Sequence, residues 1–120
     1  MSIVFPRLKR IHSPDVADLD DPKIDQTGPF CVLVQAMFGP EGGEGEESFD
    51  ILVCNPAWVA QRAGEGVFSG RHHLVVSNLN TVAIRSFLIE SAKACSAATW
   101  NEVAQKLARI GKWEFEDYKT

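Results

Sequence analysis

Residues 30–38 read Phe-Cys-Val-Leu-Val-Gln-Ala-Met-Phe, and no other stretch of the chain restricts its fold so tightly. A run this rich in β-formers and this poor in polar groups reads as a strand covered on both faces, or nearly so. Gly39-Pro40-Glu41-Gly42-Gly43-Glu44-Gly45 follows, too rich in glycine for a helix and read as a flexible connection. Residues 46–54 then alternate, with Phe49, Ile51 and Val53 on one face by the two-residue period of a strand. Two such strands joined this way make an antiparallel hairpin with a long acidic tip.

The remaining elements fall around that hairpin. Residues 7–12 are strand material, ended by Pro14, and residues 14–28 read as an acidic loop with at most one helical turn. Asn55-Pro56 starts a short helix, with Asn as cap and Pro at the first helical position, and Gly64 and Gly66 stop it. Trp58 and Val59 are expected to point inward. Residues 72–77 form another strand. A helix of about 15 residues follows Asn78–Thr81, with Ile84, Phe87, Leu88, Ser91, Ala92 and Cys95 as its apolar stripe. Thr99-Trp100-Asn101-Glu102 is a capping box for a last helix, whose stripe is Trp100, Val103, Ala104, Leu107 and Ile110. Gly111 is the expected left-handed stop, and Trp113 to Glu116 alternate as a half-buried strand. Strands early and helices late predict an α+β fold: one domain over residues 1–120, a mostly antiparallel sheet, and two main helices on one face.

Charge narrows the function. The net charge is −4, which disfavours sequence-blind nucleic-acid binding and an anionic membrane surface. The imbalance is local: residues 1–60 hold ten acids against four bases, and residues 61–120 hold six against eight. The acids gather at Asp15, Asp18, Asp20, Asp21 and Asp25, then at Glu41, Glu44, Glu46 and Glu47, and finally at Glu114, Glu116 and Asp117. Such runs are either a solvated surface or an interface for a basic partner, whose association they would accelerate. The last cluster interleaves with Trp113, Phe115 and Tyr118, the composition of a protein–protein hot spot or of a strand with a wet face. No stretch reaches the roughly 20 apolar residues of a membrane span, and Ile3-Val4-Phe5 is too short for a secretory signal. A cytoplasmic protein is expected. Cys31, Cys54 and Cys95 form no CxxC and read as buried small hydrophobes in a reducing compartment.

Catalytic signatures are lacking. The glycine-rich tip has no Lys and would repel phosphate, and no G-x-S-x-G elbow occurs. The aspartates miss the calcium-loop spacing. His72 and His73 are adjacent on a strand and point to opposite faces, so they do not readily grip one metal; one is expected exposed and the other partly buried or hydrogen-bonded. The expectation is therefore no enzyme and no cofactor. Two alternatives stay open: a small metal-dependent enzyme using His72 or His73 with His12 and carboxylates, and a homo-oligomeric structural subunit pairing through a sheet edge.

Four segments, RIHSPDV (10–16), GEESFDILVC (45–54), GRHHLVV (70–76) and TWNEVAQKLARIGKWEFEDY (99–118), resemble the immunity protein 8 family of bacterial polymorphic toxin and contact-dependent inhibition systems. The resemblance runs from about Leu8 to Tyr118. It implies an antidote that binds the C-terminal domain of a cognate toxin and protects the producing cell, without catalysis. It further implies a basic partner where the toxin is a nuclease, because an acidic inhibitor can occupy a nucleic-acid groove. The candidate interface is then Glu41, Glu44, Glu46, Glu47, Glu114, Glu116 and Asp117, and a homodimer is compatible with it.

Overall fold

The computed structural model describes residues 2–116, and the hairpin is its centre. Strands β2 (Cys31–Pro40) and β3 (Glu47–Cys54) pair antiparallel, with Val32, Val34 and Ala36 opposite Val53, Ile51 and Phe49. These residues and Phe38 are buried on one face. Cys31, Leu33, Gln35 and Met37 take the opposite face and are only half-buried. The apolar run of β2 therefore does not mean burial on both sides, because the core cluster lies on one face only.

β1 (Pro6–His12) pairs antiparallel with β2 and slips register between Leu8 and Arg10. That bulge turns both Leu8 and Ile11 toward the core, although they are an odd number of residues apart. The other edge of β3 is shared by two short strands. β4 (His73–Val75) runs parallel to Leu52–Cys54, and β5 (Lys112–Trp113) runs antiparallel to Phe49–Asp50. The sheet is thus mostly antiparallel with one parallel member. The parallel strand follows from the intervening helix α1 (Pro56–Ala63), since parallel neighbours need a crossover. β4 is shorter than the 72–77 expected: it starts one residue later because His72 has a positive φ of 61° and cannot belong to the strand, and it ends at Val75.

Helices α2 (Thr81–Ala92) and α3 (Trp100–Leu107) cover the core face. Asn80 caps α2 by accepting from Ala83 N, and a 3-10 turn, Lys93–Cys95, extends it. Ile84, Leu88, Ala92 and Cys95 are buried, whereas Phe87, expected in the same stripe, lies at its flank and is exposed. In α3 the Thr99 hydroxyl accepts from Glu102 N and donates to the Glu102 carboxylate, and Val103, Ala104 and Leu107 are buried. Trp100 and Ile110 are half-buried, Ile110 beyond the helix end. Gly111 does not serve as a left-handed stop, since its φ is not positive. It is needed for space: a Cβ there would stand 2.9 Å from Ile51 Cγ1 and 3.1 Å from the Phe49 backbone.

The acidic loop before β2 is built from its own carboxylates. Asp18 accepts from Asp20 N, Asp21 from Lys23 N and Asp25 from Thr27 N and Oγ1, each an Asx turn. The Thr27 backbone bond, reinforced by its hydroxyl, holds the Asp25 carboxyl below the usual range. Asp15 accepts from Leu33 N, extending the edge of β2, and Asp20 accepts from Thr81 Oγ1. No helix forms between residues 13 and 29.

Asn55 joins these parts. Its buried side chain accepts from Trp58 N at 2.9 Å and Phe30 N at 3.1 Å, and donates to Gly28 O at 2.9 Å. One residue therefore caps α1, anchors the start of β2 and closes the acidic loop. Asn55→Ala removes a cap and leaves backbone groups unpaired, so urea unfolding should show a loss of about 3 kcal/mol. A loss below about 1 kcal/mol would mean that water replaces these bonds without cost.

Candidate partner-binding surface

The hairpin tip is folded on itself. Gly45 O stands where a Cβ on Gly39 would be, so Gly39 is required for close approach. Lys9 Nζ donates to Gly43 O at 2.8 Å, and Glu41 N donates to Phe5 O at 2.8 Å. β1 thus holds the tip from the side. Glu41 and Glu44 are exposed, and no ion pair engages either among the described residues.

The other tip carboxylates are engaged. Glu46 meets Arg10 Nη2 at 2.7 Å. Glu47 is half-buried, and its Oε1 accepts from Trp100 Nε1 at 2.6 Å and Trp113 Nε1 at 3.0 Å. A single carboxylate oxygen therefore ties the hairpin to α3 and to β5. Sequence spacing places Glu47 simply at the end of an acidic run; the signal for its role was the presence of two tryptophans in the C-terminal segment with indole donors to satisfy.

The C-terminal acids lie beside the tip. Glu114 is exposed, and its Oε1 accepts from Ser48 N at 2.8 Å. Glu116 pairs with Arg71 at 3.3 Å. Trp113 stacks on Phe49 at 6.4 Å, and Phe115 sits edge-on to Trp113 at 5.8 Å. Asp117 and Tyr118 lie outside the described residues. The fold thus brings Glu41–Glu47 and Glu114–Glu116 to one region through Glu47–Trp113 and Ser48–Glu114, while the aspartate loop meets β2 near its opposite end, at Leu33.

The histidines diverge. His72 Nε2 donates to Ala108 O at 2.6 Å, at the C-terminus of α3. His73 Nδ1 donates to Arg71 O at 2.7 Å, and its ring stacks on Trp58 and meets Phe68 edge-on. Both are half-buried, so neither is the exposed member expected from sequence. Trp58 is half-buried under the Arg62 guanidinium, 5.5 Å from its ring centroid, and Val59 is also half-buried. Among the described residues no group of three or more His, Cys, Asp or Glu is placed to hold a metal ion. No helix of those residues is long and apolar enough to cross a membrane.

The cysteines are free, Cys54 and Cys95 buried and Cys31 half-buried opposite Cys54. Burial raises all three thiols. For Cys31 the rise is from an ordinary 9.0 to about 11, helped by Cys54 and Asp15 and opposed by Arg62. None is an activated nucleophile.

The family model of immunity protein 8 matches residues 6–118. No curated protein and no solved structure matches.

Two outcomes test this geometry. Glu47→Leu strands two indole donors and should cost about 3 kcal/mol with a changed tryptophan emission, whereas Glu47→Gln keeps an acceptor and should cost about 1 kcal/mol. Equal stability of the two variants would show that the double indole bond is unimportant. Cys31 favours the protonated form in the folded state, so its contribution is complete below pH 9.0 and is lost as pH rises toward about 11. Thiol titration with a disulfide reagent at pH 8 should therefore be slow in native protein and fast in urea; fast native labelling of Cys31 would contradict its burial.

Proposed function

We propose that this chain, which belongs to the immunity protein 8 family, binds the C-terminal domain of a cognate bacterial toxin in the cytoplasm and neutralises it. The observation that carries this reading is the family match across residues 6–118 of the 120. Binding needs a presented surface and no reactive group, and the raised thiols, the diverging histidines and the turn-forming aspartates suit that role.

The acidic surface favours a basic partner. Glu41, Glu44 and Glu114 provide its exposed charge outside any ion pair among the described residues, and Glu46, Glu47 and Glu116 form the ground behind them, with Asp117 next in the chain. Carboxylates presented together in this way resemble a short polyanion, and a nuclease groove is a natural receptor for one. The charge would act first on encounter, because complementary fields accelerate association and suppress wrong partners.

The test uses the C-terminal domain encoded by the neighbouring toxin gene, carrying an inactivating substitution, and surface-bound immunity protein. A tight complex is expected, with an association rate that falls as salt rises. The double variant Glu41→Lys/Glu44→Lys should slow association about tenfold with an unchanged melting transition. Absence of any complex with the wild-type protein would refute the immunity reading; an unchanged rate for the double variant would refute only the basic-partner part.

A further inference from the structure

Beside the acidic tip lies an apolar groove that opens to solvent at the margin of the core. It has a volume of about 590 Å³ and runs between the start of β1 and the end of α2, with Phe5, Leu8, Ile89 and Ala92 as apolar wall and Arg7 and Glu41 at its polar margin. Phe5 is 51% exposed, Ile89 49% and nearby Ile3 58%, although other large apolar side chains of these elements, such as Leu88, are fully buried. The groove is built rather than frayed. Val4 exchanges both backbone bonds with Ala97, at 2.7 and 3.2 Å, which fixes the segment ahead of β1. Phe5 O accepts from Glu41 N, so the groove wall and the acidic tip are joined by a main-chain hydrogen bond. Lys93, at the same groove, is already held by Glu90 at 2.8 Å.

We infer that this groove receives an apolar anchor of the cognate toxin, flanked on its Glu41 side by a Lys or Arg; the inference rests on the immunity reading above. Stable interfaces combine a desolvated apolar centre with a charged rim, and exposed charge alone contributes little affinity. The acidic tip provides the rim. Glu41, at the groove margin, is exposed and in no ion pair among the described residues, and Glu44 follows on the same tip, which fits a base next to the anchor. Arg7 sets a further condition, favouring an acceptor on the side of the anchor that faces it. The two parts then have separate tasks: the tip governs encounter, and the groove governs residence.

The separation makes the inference testable with the inactivated toxin domain as probe. Phe5→Ser and Ile89→Ser should each speed dissociation so that affinity falls about tenfold or more, with little change in association rate. Val67→Ser, at a 98% exposed position elsewhere, should change neither rate. As a variant-free check, hydrogen exchange at residues 3–8 and 89–93 should slow in the complex. Wild-type dissociation from both groove variants, or unaltered exchange there, would overturn the groove while leaving the immunity reading intact. Failure of the unmodified protein to bind would instead sink that underlying reading. A free protein that light scattering shows to be a dimer, dissociated by Ile89→Ser, would identify a second copy as the occupant and overturn the proposal.

Discussion

The pairing of β2 with β3 is the constraint on which the rest of the molecule depends. Val34 and Ile51 face each other with almost no solvent contact, and the residues two positions away on both strands repeat the arrangement. A slip of one residue would turn every one of these side chains to the open face. The register therefore has a steep energetic preference, and the other elements adapt to it. The bulge in β1 returns Ile11 to the core side, α2 and α3 lie on that side, and β4 and β5 divide the remaining edge of β3. Gly111 is a consequence of the same pairing, because the chain must cross close to Ile51 and Phe49.

Glu47 connects this framework to the surface. It stands at the last pair between β2 and β3, opposite Phe38, beyond which β2 continues paired with β1 alone. Its carboxylate accepts from two indoles drawn from α3 and β5. A charged acceptor shared by two partly buried donors is worth more than either bond alone in a site of reduced dielectric. The tip is consequently displayed from a rigid base, with Lys9 and Arg10 of β1 bracing it on the other side.

Much of the fold was legible in the sequence because local rules and tertiary packing agree. The hairpin, the Asn55 and Thr99 caps and the core stripe of α3 all rest on short-range signals. The failures lie where tertiary contacts decide. Phe87 satisfies helical periodicity but sits at the edge of the stripe, and Leu33 and Met37 satisfy a buried-strand pattern on the half-buried face away from the core cluster. The β5 strand stops at Trp113 because the chain turns there, with Glu116 N donating to Trp113 O. The candidate surface was legible as composition but not as geometry. Nothing in the spacing of Glu46 and Glu47 distinguishes a carboxylate that faces Arg10 from one that faces two tryptophans, since both depend on partners more than thirty residues away.

The acids of the first half also divide between shaping a loop and presenting charge at the hairpin tip. Asp18, Asp21 and Asp25 shape their own loop, Asp15 extends β2 and Asp20 holds the start of α2. Glu46 is paired with a base, and Glu47 is half-buried. Among the described residues Glu41, Glu44 and Glu114 are exposed and in no ion pair at the hairpin end of the sheet, and Asp15, Asp18, Asp20 and Asp25 are exposed and in none within the loop before β2. The carboxylates at the hairpin end can guide a partner there, but exposed charge is screened within a Debye length of about 10 Å. A complex that persists at cellular salt must therefore draw its lifetime from apolar contact, and Phe5 and Ile89 offer a solvent-facing apolar wall that reaches Glu41.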